Sequence, residues 1–146
     1  MSDTAWETHH SVETGATPSF AWTFMSNVAN WDDPPAQFHL EGPFVSRASG
    51  TTRMPGQPPR HWHLADVTPM QSYTIEFPLN NATLSFEWTF HPLSGRTRLT
   101  QHIRLSGENA AEYLVMVQQA FGSNLAPGME RIAASIDRAY ASGKEI

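Results

Sequence analysis

Alternation of apolar and polar residues, broken by short turn sequences, dominates the chain between residues 37 and 105. Such alternation is typical of antiparallel strands that bury one face and expose the other. It predicts six strands, and a segment before the first helix supplies a seventh. The predicted strands span residues 8–14, 37–41, 44–54, 61–67, 72–79, 82–90 and 96–105.

The turn sequences predict how these strands pair, because a slip of one residue moves every side chain to the other face. Asn80-Asn81 fits a two-residue hairpin turn, and residues 92–95 and 68–71 fit four-residue turns. A three-residue turn after the fourth strand would instead direct His61 and His63 inward. The predicted pairs are Tyr73 with Trp88, Ile75 with Phe86, Phe90 with Thr97, Trp88 with Leu99, Phe86 with Gln101, Leu84 with Ile103, Leu64 with Ile75, Trp62 with Phe77 and Asp66 with Tyr73.

Helical patterns flank the strand region on both sides. Thr17 and Pro18 fit the start of a helix over residues 18–30, which two prolines at 34 and 35 would end. After Gly107, apolar stripes predict helix almost to the end of the chain, kinked or interrupted between residues 122 and 128. An apolar helix stripe and an apolar sheet face of matching length predict an α+β domain that spans residues 1–146.

The composition excludes several classes of function. Nine Lys and Arg against fourteen Asp and Glu give a net charge of −5, the wrong sign for a nucleic-acid-binding protein. No apolar run approaches the roughly 20 residues of a membrane helix, and we expect a soluble, cytoplasmic protein. His61 and His63 lack the third ligand that a zinc site needs, and with no cysteine we expect neither a metal nor an organic cofactor.

Short motifs follow one another along the chain in a characteristic order. They are Ala16-Thr17-Pro18, Trp22, 28–31, Glu41-Gly42-Pro43-Phe44, Gly50-Thr51-Thr52, Trp62 with Leu64, 95–100 and Leu105-Ser106-Gly107. In this order they resemble the SRPBCC (START/Bet v 1-like) superfamily, and more narrowly its polyketide cyclase/dehydrase-like branch. The resemblance covers about residues 8–141 and implies a helix-grip fold, in which a curved seven-stranded antiparallel sheet wraps around a long C-terminal helix.

Members of this superfamily hold hydrophobic small molecules between the sheet and the long helix, and some cyclise or dehydrate polyketides there. The resemblance therefore implies a cavity for a lipid-like or polyketide-like ligand. Gln101 and Tyr73 would orient the ligand, and His10 is the best candidate for proton transfer. The expected walls of the cavity are Trp62, Tyr73, Phe86, Trp88 and Phe121.

Three functions stay open at this point. The chain could carry a hydrophobic ligand, act on it as a cofactor-independent cyclase or dehydratase, or serve as a protein-interaction module like the related Hsp90 co-chaperones. The last alternative predicts a filled interior and an exposed apolar patch. A homodimer through the outer faces of the final helix is left open, as is a hinge at residues 122–128 that admits ligand.

Overall fold

The computed structural model describes residues 4–31 and 35–143. The strands are β1 (Thr4–Thr14), β2 (Gln37–Leu40), β3 (Ser49–Arg53), β4 (Arg60–Thr68), β5 (Ser72–Leu79), β6 (Ala82–Leu93) and β7 (Arg96–Ser106), and the α-helices are α1 (Pro18–Met25), α2 (Ala110–Phe121) and α3 (Leu125–Ala141). The seven strands form one antiparallel sheet in the order β1-β7-β6-β5-β4-β3-β2. The predicted α+β helix-grip arrangement is confirmed.

The core lies between one face of the sheet and the three helices. From Ala82 to Phe90 every second residue of β6 is buried, and the same alternation on β7 buries Thr97, Leu99, Ile103 and Leu105 and leaves Gln101 half-buried, as the pleat of a half-exposed sheet requires. We call this buried side the inner face and the opposite side the outer face. Buried residues of β6, β7 and α3 include Phe86, Trp88, Leu99, Ile103, Met129 and Ile136.

The first helix begins as predicted and ends early. Thr17 caps it, since its side-chain oxygen accepts a hydrogen bond from the Phe20 amide at 3.3 Å. The helix stops at Met25, and a short 3-10 helix, Val28–Asn30, follows. The side chain of Asn27 accepts a hydrogen bond from the Ala29 amide and caps this second turn. A local side-chain hydrogen bond of this kind competes with continuation of an α-helix.

The β5–β6 hairpin has the predicted register, whereas the β6–β7 hairpin does not. Tyr73 pairs with Trp88, and Asn81 in the turn has a positive φ of 56°. In the next hairpin Leu93 pairs with Arg96, so the turn has two residues instead of four. The observed pairing of β6 with β7 is shifted by two residues from the predicted one. Because side chains alternate between the two faces of the sheet, a shift of two leaves every side chain on its predicted face. The observed pairs are Phe90 with Leu99, Trp88 with Gln101, Phe86 with Ile103 and Leu84 with Leu105.

A bulge between Leu64 and Asp66 corrects the prediction for the β4–β5 pair. Leu64 faces Ile75 as expected, but Val67 faces Tyr73 in place of Asp66. The extra residue of a bulge reverses which side chains point inward. Asp66 is therefore exposed on the outer face and is not part of the apolar surface.

The third strand is shorter than predicted, and the C-terminal helical region is interrupted. The structure places β3 at Ser49–Arg53 where the sequence predicted residues 44–54, because residues 41–48 form turns that include positive φ values at Gly42 and Arg47. Turn residues 122–124 separate α2 from α3. Among the described residues, no helix has both the length and the hydropathy that crossing a bilayer demands.

Helix α3 is joined to the turn after β1 by a group of hydrogen bonds. The carboxylate of Asp137 accepts hydrogen bonds from the Thr14 hydroxyl and, at 2.8 Å, from the Gly15 amide. The Thr97 hydroxyl donates to the Ala16 carbonyl at 2.9 Å. Thr14 and Thr97 are fully buried, so these bonds satisfy polar groups inside the core.

Candidate ligand-binding site

Four side chains with polar atoms form one row across the inner face. Tyr73 faces Trp88, and Trp88 faces Gln101. Gln101 in turn faces His10 on the edge strand β1. Directly paired residues share a face of the sheet, so the four side chains line up. We call these four residues the polar row. It crosses three strand spacings, about 14 Å at roughly 4.8 Å per spacing.

The polar row runs from the closed interior to the edge of the sheet. Tyr73 and Trp88 are 1% and 4% exposed, whereas Gln101 and His10 are half-buried. None of the side-chain hydrogen bonds found among the described residues involves these four side chains.

The hydroxyl of Tyr73 is held in its neutral form. Burial raises the pKa of Tyr73 well above its ordinary value, because surroundings of low polarity disfavour the phenolate. The group therefore keeps its proton across the physiological pH range. Chemically it can donate a hydrogen bond to a carbonyl or hydroxyl oxygen, and it is unsuited to act as a base.

Aromatic rings from α1 and the β2–β3 segment surround Tyr73. The ring centroids of Phe44 and Tyr73 lie 5.0 Å apart, and those of Trp22 and Phe90 lie 5.2 Å apart. Trp22 also contacts Tyr73 at 6.1 Å. These pairs meet edge to face, the geometry that aromatic quadrupoles favour. This end of the inner face is filled by the protein's own side chains.

Trp62 lies in the same aromatic region, where its indole N–H already has a hydrogen-bond partner and its ring is packed against other residues. Its indole nitrogen donates a hydrogen bond to the Thr52 hydroxyl at 3.0 Å. Trp31 lies against its ring with a centroid distance of 5.5 Å, and Gly50 lies beneath it. Trp62, which the sequence predicted to line a cavity, is thus used for packing inside the protein.

Phe86 and Phe121 cover the other end of the inner face. Their ring centroids lie 5.1 Å apart, and Phe77 meets Phe86 at 5.6 Å. Phe121 is the last residue of α2 and directly precedes the turn to α3. Phe86 is buried and Phe121 half-buried. A movement of the α2–α3 junction would therefore uncover the apolar surface beside the polar row.

Two grooves open at the margins of the inner face. One, of about 440 Å³, lies between the 3-10 helix and β2 and reaches Phe44. The other, of about 450 Å³, lies between β1 and α3, with His10 and Val12 on one side and Ala133 and Asp137 on the other. Both are open to solvent. In this conformation the space between them is occupied by side chains, as the low exposure of the inner residues requires.

Charged side chains lie mostly on the outer face, where several form pairs. His102 contacts Glu7 at 2.8 Å, Arg96 contacts Glu13 at 2.9 Å and His63 contacts Glu76 at 3.0 Å. His61 is exposed, so the alternative with both histidines inward is wrong. Within residues 4–31 and 35–143, no three His, Cys, Asp or Glu side chains are grouped closely enough to hold a metal ion.

The sequence prediction missed the aromatic residues that α1 and the β2–β3 segment contribute. Trp22, Trp31 and Phe44 take part in the cluster around Tyr73 and Trp62, together with Phe90 of β6. Trp22 lies outside the Phe20, Phe24 and Val28 stripe from which the helix was predicted. The sequence feature that could have indicated them is the high aromatic content of residues 20–44, which follows neither a helical nor a strand period.

Comparison with protein families gives one match over most of the chain. The family model described as polyketide cyclase / dehydrase and lipid transport matches residues 5–137. A search of curated proteins finds no significant match.

Solved structures resemble the fold at low sequence identity. Norcoclaurine synthase from Thalictrum flavum, in complex with dopamine and hydroxybenzaldehyde, gives a TM-score of 0.72 at 12% identity, over 99% of this chain and 91% of that one. The Zhui aromatase/cyclase from Streptomyces sp. R1128 gives 0.69 at 15% identity, over 97% and 99%. Protein NE0264 from Nitrosomonas europaea gives 0.70 at 10% identity, over 92% and 96%. At such identities the likeness establishes the fold alone.

Proposed function

The chain belongs to the polyketide cyclase / dehydrase and lipid transport family, within the SRPBCC (START/Bet v 1-like) superfamily, and on that premise we propose that it binds a small hydrophobic or aromatic molecule. The ligand lies against the inner face, beneath α2 and α3. Trp88 and Phe86 contact it from the sheet, and Phe121 contacts it from α2. Gln101 and Tyr73 orient it through hydrogen bonds.

The polar row is the observation that carries this proposal. Its side chains place a few polar atoms on a surface that is otherwise apolar. Pockets for small molecules have this composition, with a few polar groups that fix the orientation of an apolar ligand. The length of the row, about 14 Å from three strand spacings, suits a flat molecule of two or three fused rings.

Ligand entry requires side chains to move, because the inner residues are covered in this conformation. Phe121 is the simplest group to displace, since it is half-buried and adjoins the turn at residues 122–124. Displacing it opens the region over Phe86. The groove between β1 and α3 then continues inward past His10 toward Gln101.

Ligand screening by thermal shift and native mass spectrometry tests the proposal. A panel of fatty acids, flavonoids and aromatic polyketides should contain a compound that binds with one molecule per chain. At about one hundred times the dissociation constant, a ligand adds roughly 2.7 kcal/mol to the free energy of unfolding.

Paired variants assign the binding to the inner face. Gln101→Leu should weaken binding, whereas Thr100→Val, the neighbouring change on the outer face, should leave it unaltered. No stabilisation by any member of the panel, or equal effects of the two variants, would contradict the proposal.

Catalysis is the second candidate function, and the position of His10 favours it. His10 faces Gln101 directly across the β1–β7 pair, one strand spacing away. In a cyclisation, the imidazole would take a proton from a carbon beside a carbonyl, and the Gln101 amide would donate to the enolate oxygen. The enolate carbon would then attack a second carbonyl, and the imidazolium would return the proton to the new alkoxide.

The two functions differ in how they respond to His10→Phe. In an enzyme, this substitution abolishes turnover of a polyketide substrate and leaves its dissociation constant largely unchanged. In a carrier there is no turnover to lose. If binding and turnover fall together, His10 positions the ligand and does not transfer a proton.

An interaction module is the third candidate, favoured by two exposed apolar residues on α2. Val115 and Met116 are 64% and 50% exposed. Multi-angle light scattering tests whether these two residues support a homodimer, and the double variant Val115→Ser, Met116→Ser should then dissociate it.

We also propose that the protein resides in the cytoplasm. Cell fractionation tests this.

A further inference from the structure

We propose that the free edge of β1 is a docking site for an extended peptide segment with basic side chains, which adds to the sheet as an eighth strand beside α3. The segment lies in the groove between β1 and α3. This interaction is separate from the binding of a small molecule on the inner face and does not require it.

Strand β1 has a strand partner on one side only. It is the last strand of the sheet, and its backbone pairs with β7. The pairing is regular from Trp6 to Thr14, a stretch that contains no proline. Sheet edges that resist further pairing are interrupted by bulges or prolines or are covered by another element. Neither a bulge nor a proline interrupts this stretch, so a line of its backbone N–H and C=O groups points away from the sheet.

Helix α3 lies beside this edge without bonding to its middle part. The Asp137 carboxylate accepts hydrogen bonds from Thr14 and Gly15, at the end of the strand. Among the hydrogen bonds found within the described part of the chain, none joins residues 10–13 to α3. The groove of about 450 Å³ lies at this point and is open to solvent. A segment can therefore reach the backbone of β1 from the side.

The two walls of the groove have similar lengths. Residues 10–13 line it on the strand side, which is about 13 Å of extended chain. On α3 the lining residues extend from Glu130 to Asp137, about 10 Å along the helix axis. Ala133 and Ala134 lie between them, so the middle of the helix wall has no long side chain. These dimensions suit one extended segment of about four residues.

The charged groups that line the groove are carboxylates. Glu130 and Asp137 belong to the helix wall, and both are exposed. Glu13 lines the strand side, where Arg96 and Arg98 contact it at 2.9 and 3.7 Å and offset its charge. The two carboxylates of the helix wall are therefore the charges that an incoming segment meets.

Basic groups near the helix wall do not change the sign of this charge. Arg131 and Arg138 are part of α3, but neither lines the groove. His10 does line it and contributes no negative charge. Lys or Arg side chains of an incoming segment would complement the carboxylates, and such complementarity selects one partner over another. Main-chain hydrogen bonds to β1 would supply the rest of the affinity, as in other strand additions.

A second copy of this chain is a poor partner for the same edge. Antiparallel pairing of two β1 strands about a twofold axis would bring the two grooves, with their carboxylates, to the same interface. Residues 4–14 include Glu7 and Glu13 and no Lys or Arg, so the second strand has no basic side chain to offer. Like charges that face each other across an interface disfavour the pairing. The charges favour a basic segment of another protein.

Two heptapeptides, both acetylated and amidated, test the inference on the wild-type protein. The first is Thr-Lys-Val-Lys-Val-Lys-Thr, and the second has Glu in place of each Lys. Titration of ¹⁵N-labelled protein at low ionic strength should show saturable binding of the basic peptide and at least about tenfold weaker binding of the acidic one. Failure of the basic peptide to bind, or equal affinities of the two peptides, would overturn the inference.

Hydrogen exchange of the same complex locates the peptide. Backbone amides of residues 10–13 that point away from β7 should exchange at least about tenfold more slowly, because each gains a hydrogen-bond partner. Amides of β2, at the other edge of the sheet, should exchange at an unchanged rate. Binding that leaves exchange in β1 unaltered would place the peptide elsewhere and overturn the inference.

A charge reversal on the helix wall provides the matched variant. Glu130→Lys should weaken binding of the basic peptide by at least about fivefold, since an attraction is replaced by a repulsion. Glu41→Lys changes the net charge by the same amount directly after β2, at the opposite edge, and should leave the affinity unchanged. Equal weakening in the two variants would show that net charge alone attracts the peptide and would overturn the inference.

Discussion

Tyr73 is a buried tyrosine whose surroundings differ strongly from those of the same side chain in an unfolded chain. It is 1% exposed, and rings of Trp22, Phe44 and Phe90 approach it within 5.0 to 6.1 Å. Burial in this cluster raises the pKa of Tyr73, so the folded protein keeps the phenolic proton more tightly than the unfolded chain does.

Stability should therefore fall at alkaline pH, and Tyr73→Phe should reduce the fall. Below the unfolded-state pKa of about 10, both states hold the proton and the group has no effect on stability. Above it, only the unfolded chain ionises, and the free energy of unfolding falls by about 1.4 kcal/mol per pH unit. Urea unfolding between pH 9 and 11 measures the slope, with Tyr140→Phe, at an exposed position, as the control. Equal slopes for wild type and Tyr73→Phe would contradict the account.

Two glycines with different surroundings give a second prediction at this scale. A Cβ on Gly50 would lie 2.2 Å from the ring of Trp62, which is buried and hydrogen-bonded to Thr52. Gly50→Ala should destabilise the fold by about 1–3 kcal/mol. Gly128 lies in α3, where the nearest group is the Arg131 guanidinium at 3.6 Å, and Gly128→Ala should stabilise by about 0.5–1 kcal/mol. Urea titrations of both variants that show the same sign would be inconsistent with this packing.

At the scale of elements, turn chemistry decides which registers could be predicted. Asn80-Asn81 fits a two-residue hairpin turn, and the pairing of β5 with β6 that this turn predicts is the observed one. Before β7, both a four-residue and a two-residue turn fit the sequence, and Gly95 with a φ of 68° takes the shorter one. The two-residue offset kept every side chain on its predicted face but moved Gln101 from Phe86 to Trp88.

The β4 bulge and the early end of α1 could not be predicted from local pattern. The bulge at residues 64–66 has no glycine or proline to mark it. In α1, the chain leaves the helix because Asn27 caps the next turn and the Trp31 indole donates to the Met25 carbonyl at 2.8 Å. The end of α1 is set by these local hydrogen bonds, which compete with the helix, and the bulge is set by the pairing of β4 with β5.

The hydrogen bonds between α3 and the turn after β1 predict how much stability this contact between elements contributes. Asp137→Ala removes the acceptor of the buried Thr14 hydroxyl and of the Gly15 amide. An unsatisfied buried donor costs about 1–3 kcal/mol, and we expect a loss of that size in guanidinium unfolding. Glu130→Ala, at an exposed position of the same helix, should change stability by less than about 0.5 kcal/mol. A comparable loss in both variants would contradict a specific role for Asp137.

For the molecule as a whole, the fold was more predictable than the site. Strand alternation and the ordered motifs were enough to predict the sheet and the terminal helices. Each strand buries one apolar face, so its own sequence shows the pattern. The composition of the site depends on which rings meet in space. Half of the aromatic cluster comes from residues 22–44, where the elements are short and their packing is set by the sheet.

The central claim is that a small hydrophobic or aromatic molecule binds between the inner face and the helices. Titration of ¹⁵N-labelled protein with phenylnaphthylamine, followed through backbone and indole N–H signals, tests it most directly. We predict saturable shifts at Tyr73, Trp88 and Gln101, with outer-face residues such as Glu87 unaffected. Shifts confined to Val115 and Met116, or no saturable shift at all, would contradict the claim.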